Sequence, residues 1–217
     1  MAAFVAHRRH CARVAQQLLF SMQDLIEKLT ITELVQSWAM YRDTGDWERL
    51  RSTVHADATM TATWYHGSFD GFIEALQASW RKGSRSQHLV GSTVVEIQGA
   101  RAIAQTRMSI LVRGMLGDQA VDVTSVGRFF DCVEKRQGKW RIAKRCVIYD
   151  KDRMDAVNPQ ASIFLESELL EKFPEGYRHL AYLQTKSGGV VNPNLPTASG
   201  PAVDQLLTQA QAWLHAS

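Results

Sequence analysis

The first apolar pattern along the chain is helical. Thr30 and Glu33 match a T-x-x-E capping box, which is typical of a helix N-terminus. Three large apolar residues follow at positions i, i+4 and i+7, which places them on one helix face: Leu34, Trp38 and Tyr41. The pattern predicts a first helix that starts near residue 30.

Two further helices are predicted before the main run of strands. Gly45 is expected to end the first helix, and Asp46 can cap a short second helix over residues 47–54. Ser68 or Asp70 can cap a third helix, because both precede apolar residues at helical spacing. These apolar residues are Phe72, Ile73, Leu76 and Trp80.

Strand-like segments rich in β-branched and aliphatic residues make up the middle of the chain. They cover residues 59–65, 87–97, 102–112, 120–133 and 139–149. Turns are predicted at His66-Gly67, at Gly99, at Gly114 with Gly117-Asp118, and at Gln137-Gly138. Helices on one side of a mainly antiparallel sheet predict an α+β fold.

The pattern weakens after residue 150. A helix is predicted over residues 163–172, a turn over 174–176, a loop rich in Gly, Pro and Asn over 187–201, and a last helix over 202–214. That helix is amphipathic and carries Val203, Leu206, Leu207 and Trp213. This tail, residues 153–217, is expected to pack on the preceding domain or on a neighbouring subunit.

Charge separates a short leader from the rest of the chain. Residues 1–23 contain three arginines and no acidic residue, which accounts for the whole net charge of +3. The remaining chain has 22 basic and 22 acidic residues, so no electrostatic preference for nucleic acid is expected. Residues 1–22 are interpreted as a disordered or non-native leader, either a transit peptide or an over-extended reading frame, and residues 23–152 as the folded domain.

Other features limit the classes of function. Three scattered cysteines in 217 residues favour a reducing, cytoplasmic compartment, and no apolar run is long enough to predict a membrane span. Nucleotide-binding glycine loops, the G-x-S-x-G elbow and H-E-x-x-H are absent from the sequence. His7 and His10 are three residues apart without a nearby carboxylate, so we predict neither a metal nor a cofactor.

His88 is the leading candidate for chemistry. On a strand it is expected to share a face with Val90 and Val94, and partial burial favours the neutral imidazole that can accept a proton. A purely structural histidine is the alternative. Asp43 is a second candidate, although it lies roughly 180° around the first helix from Leu34, which by periodicity alone predicts a solvent-facing position.

Three motifs resemble those of scytalone dehydratase. They are D-T-G-D-W-E-R-L-R at 43–51, R-S-Q-H-L-V-G at 85–91 and G-K-W-R-I at 138–142. Their order is similar to that of the SnoaL-like superfamily, which also contains hexachlorocyclohexane dehydrochlorinase. The resemblance implies a cone-shaped barrel over about residues 25–152, and a homo-oligomer, with a trimer favoured over a dimer.

The resemblance also implies a role for each candidate residue. The aspartate that matches Asp43 orients the histidine that matches His88, which acts as a general base. The tyrosine that precedes this aspartate in the dehydratase is replaced here by Arg42. Candidate donors to a developing oxyanion are Tyr41, Tyr65, Arg128 and Tyr149, and candidate pocket-lining residues are Trp38 and Trp64. A packing or surface role is the alternative for each, and a buried ion pair for Arg128.

The predicted function is therefore a cofactor-independent lyase that acts on a small hydroxylated, aromatic or polyketide-like molecule. Elimination of water is one form of this chemistry, and deformylation of a lignin-derived diaryl compound, as in aromatic-compound catabolism, is another. The alternative from a different class is a non-catalytic subunit, similar to the β subunit of ring-hydroxylating dioxygenases, because this fold serves many functions.

Overall fold

The structure is a computed structural model that describes the backbone of residues 2–216 and the side chains of residues 21–216. Its helices are α1 (Ala2–Thr44), α2 (Trp47–Ser52), α3 (Phe69–Arg81), α4 (Ser167–Leu170), α5 (Arg178–Lys186) and α6 (Pro201–His215). Its strands are β1 (Val54–Ala62), β2 (Tyr65–Ser68), β3 (Ser86–Gln98), β4 (Arg101–Leu116), β5 (Gln119–Arg136) and β6 (Lys139–Ala156).

The strands form one mixed sheet in the order β2-β1-β6-β5-β4-β3. Strands β3 to β6 are antiparallel neighbours, whereas β1 pairs in parallel with β6 and antiparallel with β2. The predicted α+β class is confirmed, but the sheet is open rather than a closed barrel. On the inner face of the sheet, α1, α3 and α5 build the main core, and α6 covers part of the outer face.

Helix α1 does not begin at the predicted capping box. Thr30 lies inside a helix that is continuous from Ala2, and its hydroxyl donates to the carbonyl of Ile26 (2.8 Å). The residues before Thr30 are strong helix formers, and Lys28 pairs with Asp24 one turn away. Glu27 also accepts a hydrogen bond from Lys135 at the end of β5 (2.6 Å), which ties this part of α1 to the sheet. The predicted leader boundary at residue 22 stays a prediction.

The caps of the next two helices agree with the sequence. Asp46 accepts a hydrogen bond from the backbone N–H of Arg49 and so caps α2, which ends two residues earlier than predicted because β1 begins at Val54. Ser68, not Asp70, caps α3. The Asp70 carboxylate instead accepts a hydrogen bond from Arg51 (2.8 Å).

Two predicted turns are strand residues. His66 and Gly67 belong to β2, and the tight turn lies at residues 63–64. Gly114 pairs with Val121 inside the β4–β5 hairpin. The turn at Gln137-Gly138 is confirmed, and both residues have the positive φ values (+52° and +76°) that two-residue hairpins favour.

A β-bulge in β3 changes which residues share a face with His88. The register against β4 shifts between Val90 and Thr93, so the alternation of side chains restarts after the bulge. Val90 is partly buried on the side of His88, whereas Val94 is 73% exposed. The prediction that Val94 accompanies His88 is therefore wrong.

The C-terminal segment packs on the sheet of its own chain. The predicted helix over 163–172 is reduced to α4, while α6 is confirmed. Helix α5 was not predicted, and it packs against β4, β5 and β6. The buried Asp152 carboxylate accepts hydrogen bonds from the His179 ring (2.8 Å) and the Leu180 N–H (2.7 Å), which satisfies the α5 N-terminus. The domain boundaries stay predictions.

A membrane-spanning helix would need a long, strongly apolar stretch, and none of the helices in the described part of the chain has one.

Gly127 is predicted to be essential for the β5–β6 contact. A Cβ at this position would lie 2.1 Å from the carbonyl oxygen of Ile148, so the two strands would have to separate. Gly127→Ala should lower the free energy of unfolding by about 2–3 kcal/mol in urea denaturation. Gly91→Ala is the control, because its Cβ would make only ordinary contacts, the closest at 3.7 Å. Equal stability of the two variants would contradict this prediction.

Candidate active site

The end of α1 and the start of β3 bring together the two leading candidates. Asp43 Oδ1 lies 2.7 Å from His88 Nδ1, and Asp43 Oδ2 accepts a hydrogen bond from the His88 backbone N–H (2.5 Å). The helix ends just beyond at Gly45, where φ is +75°. The exposed position that periodicity predicted for Asp43 is wrong, because β3 covers the last turn and leaves the side chain only 15% exposed.

The contact with Asp43 leaves one ring nitrogen of His88 for the cavity. A carboxylate is an acceptor only, so Nδ1 carries the proton that the bond requires. Nε2 is then the unprotonated nitrogen of the neutral ring, and the ring lines a cavity on the inner side of the sheet. The arrangement is that of a general base held in one tautomer.

Burial and pairing have opposite effects on the protonation of this pair. Burial lowers the pKa of His88 below its ordinary value, although the hydrogen bond to Asp43 partly opposes this effect. Burial alone would raise the pKa of Asp43, but the hydrogen bonds from His88, together with neighbouring positive charge such as that of Arg42, outweigh it and lower the pKa overall. At neutral pH the pair is therefore a neutral imidazole beside a carboxylate.

Two aromatic rings hold the imidazole in place. Trp38 meets His88 edge-on at 5.9 Å between ring centroids, and Phe129 lies at the same distance with a tilt of 36°. Behind them the Arg145 guanidinium contacts both rings, at 4.0 and 4.1 Å from their centroids. Arg145 is fully buried and forms two hydrogen bonds with Asp131 (2.6 and 2.8 Å), so its charge is compensated.

The cavity in front of His88 has a volume of about 320 Å³. Its walls are mainly apolar and come from β1, α3, β4, β6 and α5, through residues such as Met60, Phe72, Leu76, Ile110, Val147 and Leu180. An apolar cavity with a few polar groups is typical of a site for a small organic molecule.

Arg42 is a cavity residue that the sequence identified only as a departure from the dehydratase pattern. Its Nη1 donates to Asp43 Oδ1 and to the carbonyl oxygen of Ser86, both at 3.2 Å. The side chain is 13% exposed and lines the cavity. A guanidinium has five N–H donors, so others remain for a ligand. Its position next to Asp43 was the signal available in the sequence.

The structure brings some of the predicted site residues to the cavity and leaves others away from it. His88, Trp38, Trp64 and Tyr149 line it, with Asp43 behind His88. Tyr41, Tyr65 and Arg128 are not among the lining residues. The Tyr65 hydroxyl donates to the Ser68 carbonyl (2.8 Å), and Arg128 pairs with Asp150 on the outer face of the sheet (3.2 Å).

The C-terminal helix α5 contributes cavity residues that the sequence did not indicate. Leu180, Leu183 and Gln184 line the cavity, as does Thr63 from the turn between β1 and β2. Neither α5 nor that turn was predicted, so nothing in the sequence linked these residues to His88. Among the side chains that the structure describes, no three His, Cys, Asp or Glu residues cluster as a candidate metal site.

A six-stranded open sheet, helices on its inner face and an Asp–His pair at the cavity define the class of cone-shaped α+β proteins. A family model for the SnoaL-like domain matches residues 23–146, and the chain belongs to this family.

Curated relatives extend the similarity beyond the family model. Pea pathogenicity protein 2 of Fusarium vanettenii is 32% identical over 203 residues, which cover 88% of this chain and 86% of that protein. A PEP2-like protein of the same fungus is 31% identical with similar coverage.

Solved structures match the fold. A putative scytalone dehydratase from Novosphingobium aromaticivorans superposes with a TM-score of 0.53 and 16% identity, over 66% of this chain and 99% of that one. The hexachlorocyclohexane dehydrochlorinase LinA type 2 superposes with a TM-score of 0.52 and 16% identity, over 67% and 97%. At this identity the likeness is one of fold alone.

The lowered pKa of His88 predicts a pH dependence of stability. A group that binds protons more tightly in the unfolded state favours unfolding once it is protonated. Stability should therefore be complete above the ordinary histidine value of about 6.5 and should fall as the pH decreases from 6.5 towards the lower folded-state pKa. Urea denaturation between pH 8 and 5 measures this slope. His88→Gln should flatten it, and an unchanged slope in that variant would contradict the assignment.

Proposed function

We propose that the protein is a cofactor-independent lyase in which His88 is the general base and Asp43 orients it. The observation that carries the proposal is the 2.7 Å contact between His88 Nδ1 and Asp43 Oδ1. The His88 imidazole that makes this contact also lines an apolar cavity. The size and apolar walls of the cavity favour a small, hydroxylated aromatic or polyketide-like substrate.

The proposed reaction is an elimination. Nε2 of His88 takes a proton from a substrate carbon next to a carbonyl group. The electron pair of that C–H bond is then delocalised onto the carbonyl oxygen, which gives an enolate of the substrate. The pair then expels hydroxide from the neighbouring carbon and forms a double bond, and the proton on His88 converts the departing hydroxide into water. Asp43 stabilises the imidazolium that exists between these steps.

Arg42 is the proposed donor to the oxygen on which negative charge develops. It lies beside Asp43 and lines the same cavity, and its guanidinium has donors beyond the two bonds from Nη1. A fixed donor in a cavity that excludes water stabilises an oxyanion more strongly than it does in bulk water. This assigns Arg42 the role for which the sequence had offered Tyr41, Tyr65, Arg128 and Tyr149 as candidates.

The two alternatives from the sequence are a carbon–carbon cleaving lyase and a non-catalytic subunit. In the lyase, such as the predicted deformylase, His88 would deprotonate a phenol and a carbon fragment would leave. A non-catalytic subunit similar to the dioxygenase β subunit needs no space in front of His88, so the cavity of about 320 Å³ favours the enzyme. A trimeric assembly and a cytoplasmic location remain predictions from the sequence.

His88→Gln is expected to lower kcat by about 10²–10⁴-fold and to leave the fold intact. That range is the usual contribution of a general base to the rate. The assay is a mass-spectrometric screen of hydroxylated aromatic compounds for loss of water or formaldehyde, with kcat measured on any compound that is turned over. His66→Gln is the matched control, because His66 is on β2 and contacts Thr61 (2.9 Å) outside the cavity. Full activity of His88→Gln would refute the proposed role of His88.

Arg42→Met is expected to lower kcat by about 10²–10³-fold, as the loss of an oxyanion donor does. Burial lowers the pKa of His88, and the positive charge of Arg42 lowers it further. Removing that charge should therefore move the acid limb of the pH–rate profile to higher pH. Arg49→Met is the control, since Arg49 is exposed on α2 and pairs with Asp46 (3.5 Å). Unchanged kcat and an unmoved profile in Arg42→Met would argue against this role.

A further inference from the structure

Three residues that line the cavity with His88 have a buried polar atom without a hydrogen-bond partner in the described part of the chain. One is the Trp38 indole Nε1, and the other two are the Thr63 hydroxyl oxygen and the Gln184 side-chain oxygen. Trp38 contacts the His88 ring, whereas Thr63, which is 1% exposed, and Gln184 offer oxygen atoms to the cavity. Leaving such a group unpaired is unfavourable, and the cavity is the space from which a partner can reach it.

Tyr149 adds a hydrogen-bond donor beside Thr63. Its hydroxyl oxygen accepts the backbone N–H of Thr63 (3.2 Å), so its own proton is available to the nearby Thr63 hydroxyl or to a ligand. Burial raises the pKa of Tyr149 well above its ordinary value, which keeps this proton on the phenol. Thr63, Gln184 and Tyr149 therefore offer donors and acceptors without a formal charge.

The two arginines that line the cavity have carboxylate partners. Arg42 contacts Asp43 beside His88, and Arg113 forms two hydrogen bonds with Asp122 (2.8 and 2.7 Å). A neutral group with both donor and acceptor capacity, such as a hydroxyl, matches Thr63, Tyr149 and Gln184 better than a carboxylate or phosphate does.

A row of aromatic rings runs along the cavity from His88 to Thr63. Trp38 contacts His88, Phe72 stacks on Trp38 with centroids 6.2 Å apart, and Trp64 stacks on Phe72 at 5.3 Å. Trp64 follows Thr63 directly in the chain. Thr63 and the neighbouring Tyr149 are thus separated from His88 by an aromatic wall. Such a wall suits a substrate with a flat apolar ring system between two polar ends.

We propose that Thr63, Tyr149 and Gln184 form a second polar subsite that binds a neutral hydroxyl of the substrate, remote from the carbon that His88 deprotonates. The substrate class is then a ring compound with oxygen functions at both ends. This inference rests on the proposed function, in which His88 acts on the other end of the substrate. Gln184 lies in the C-terminal tail, beyond the residues 23–146 that the family model matches, so this tail contributes to the specificity.

Binding of matched phenols tests the subsite without any turnover. The probes are phenol against hydroquinone, and 4-hydroxybiphenyl against 4,4′-dihydroxybiphenyl, measured by isothermal titration calorimetry on the full chain. Each pair differs by one hydroxyl, and the two pairs sample two distances between polar ends. In the wild type, at least one diol should bind about tenfold more tightly than its partner.

Thr63→Val and Gln184→Leu should each reduce this preference to about twofold or less. The matched controls are Thr208→Val and Gln205→Leu, exposed positions on α6 at the other face of the sheet, and both should retain it. His88→Gln should also retain it, so a failure of the proposed base and a failure of the subsite give different results. Equal binding within both pairs, no binding of any probe, or an unchanged preference in Thr63→Val and Gln184→Leu would overturn the proposal.

Discussion

The two hydrogen bonds between Asp43 and His88 are the interaction on which the candidate site depends. One carboxylate oxygen holds the ring and the other holds the backbone of the same residue, so the end of α1 and the start of β3 are fixed to each other. Burying a carboxylate is unfavourable unless it is paired and hydrogen-bonded, and this pairing meets that requirement. The same contact determines which nitrogen of His88 remains for the cavity.

The rest of the fold gives this pair an apolar surrounding. Trp38 and Phe129 enclose the ring, and the buried Arg145–Asp131 pair supports both aromatic side chains from behind. Helix α5 completes the wall of the cavity opposite the sheet, and the buried Asp152 carboxylate anchors its N-terminus. A segment outside the family-matched range therefore shapes the space into which His88 is directed.

Local signals predicted those features that depend on neighbouring residues alone. The caps at Asp46 and Ser68 and the Gln137-Gly138 turn are of this kind, and so is amphipathic α6. The predicted helix start at Thr30 was wrong because the helix formers before it continue α1. The prediction that Val94 shares a face with His88 was wrong because a β-bulge depends on strand pairing, which local sequence does not show.

The Asp43–His88 contact was expected only from the resemblance, since helical periodicity placed Asp43 in solvent. The cavity residues of α5 carried no recognisable signal, and Arg128 forms the ion pair that was its alternative role instead of reaching the cavity. Contacts between segments distant in the chain, and the side of a strand after an irregularity, depend on tertiary packing that periodicity does not encode.

The protonation state of the His88 ring is the most direct test of this account. Nitrogen-15 NMR of the imidazole in the wild type at pH 7.5, with His88→Gln used to assign the signals, distinguishes the two neutral tautomers from the charged ring. The account predicts a neutral ring with its proton on Nδ1 and an unprotonated Nε2. A charged ring, or a proton on Nε2, would contradict it.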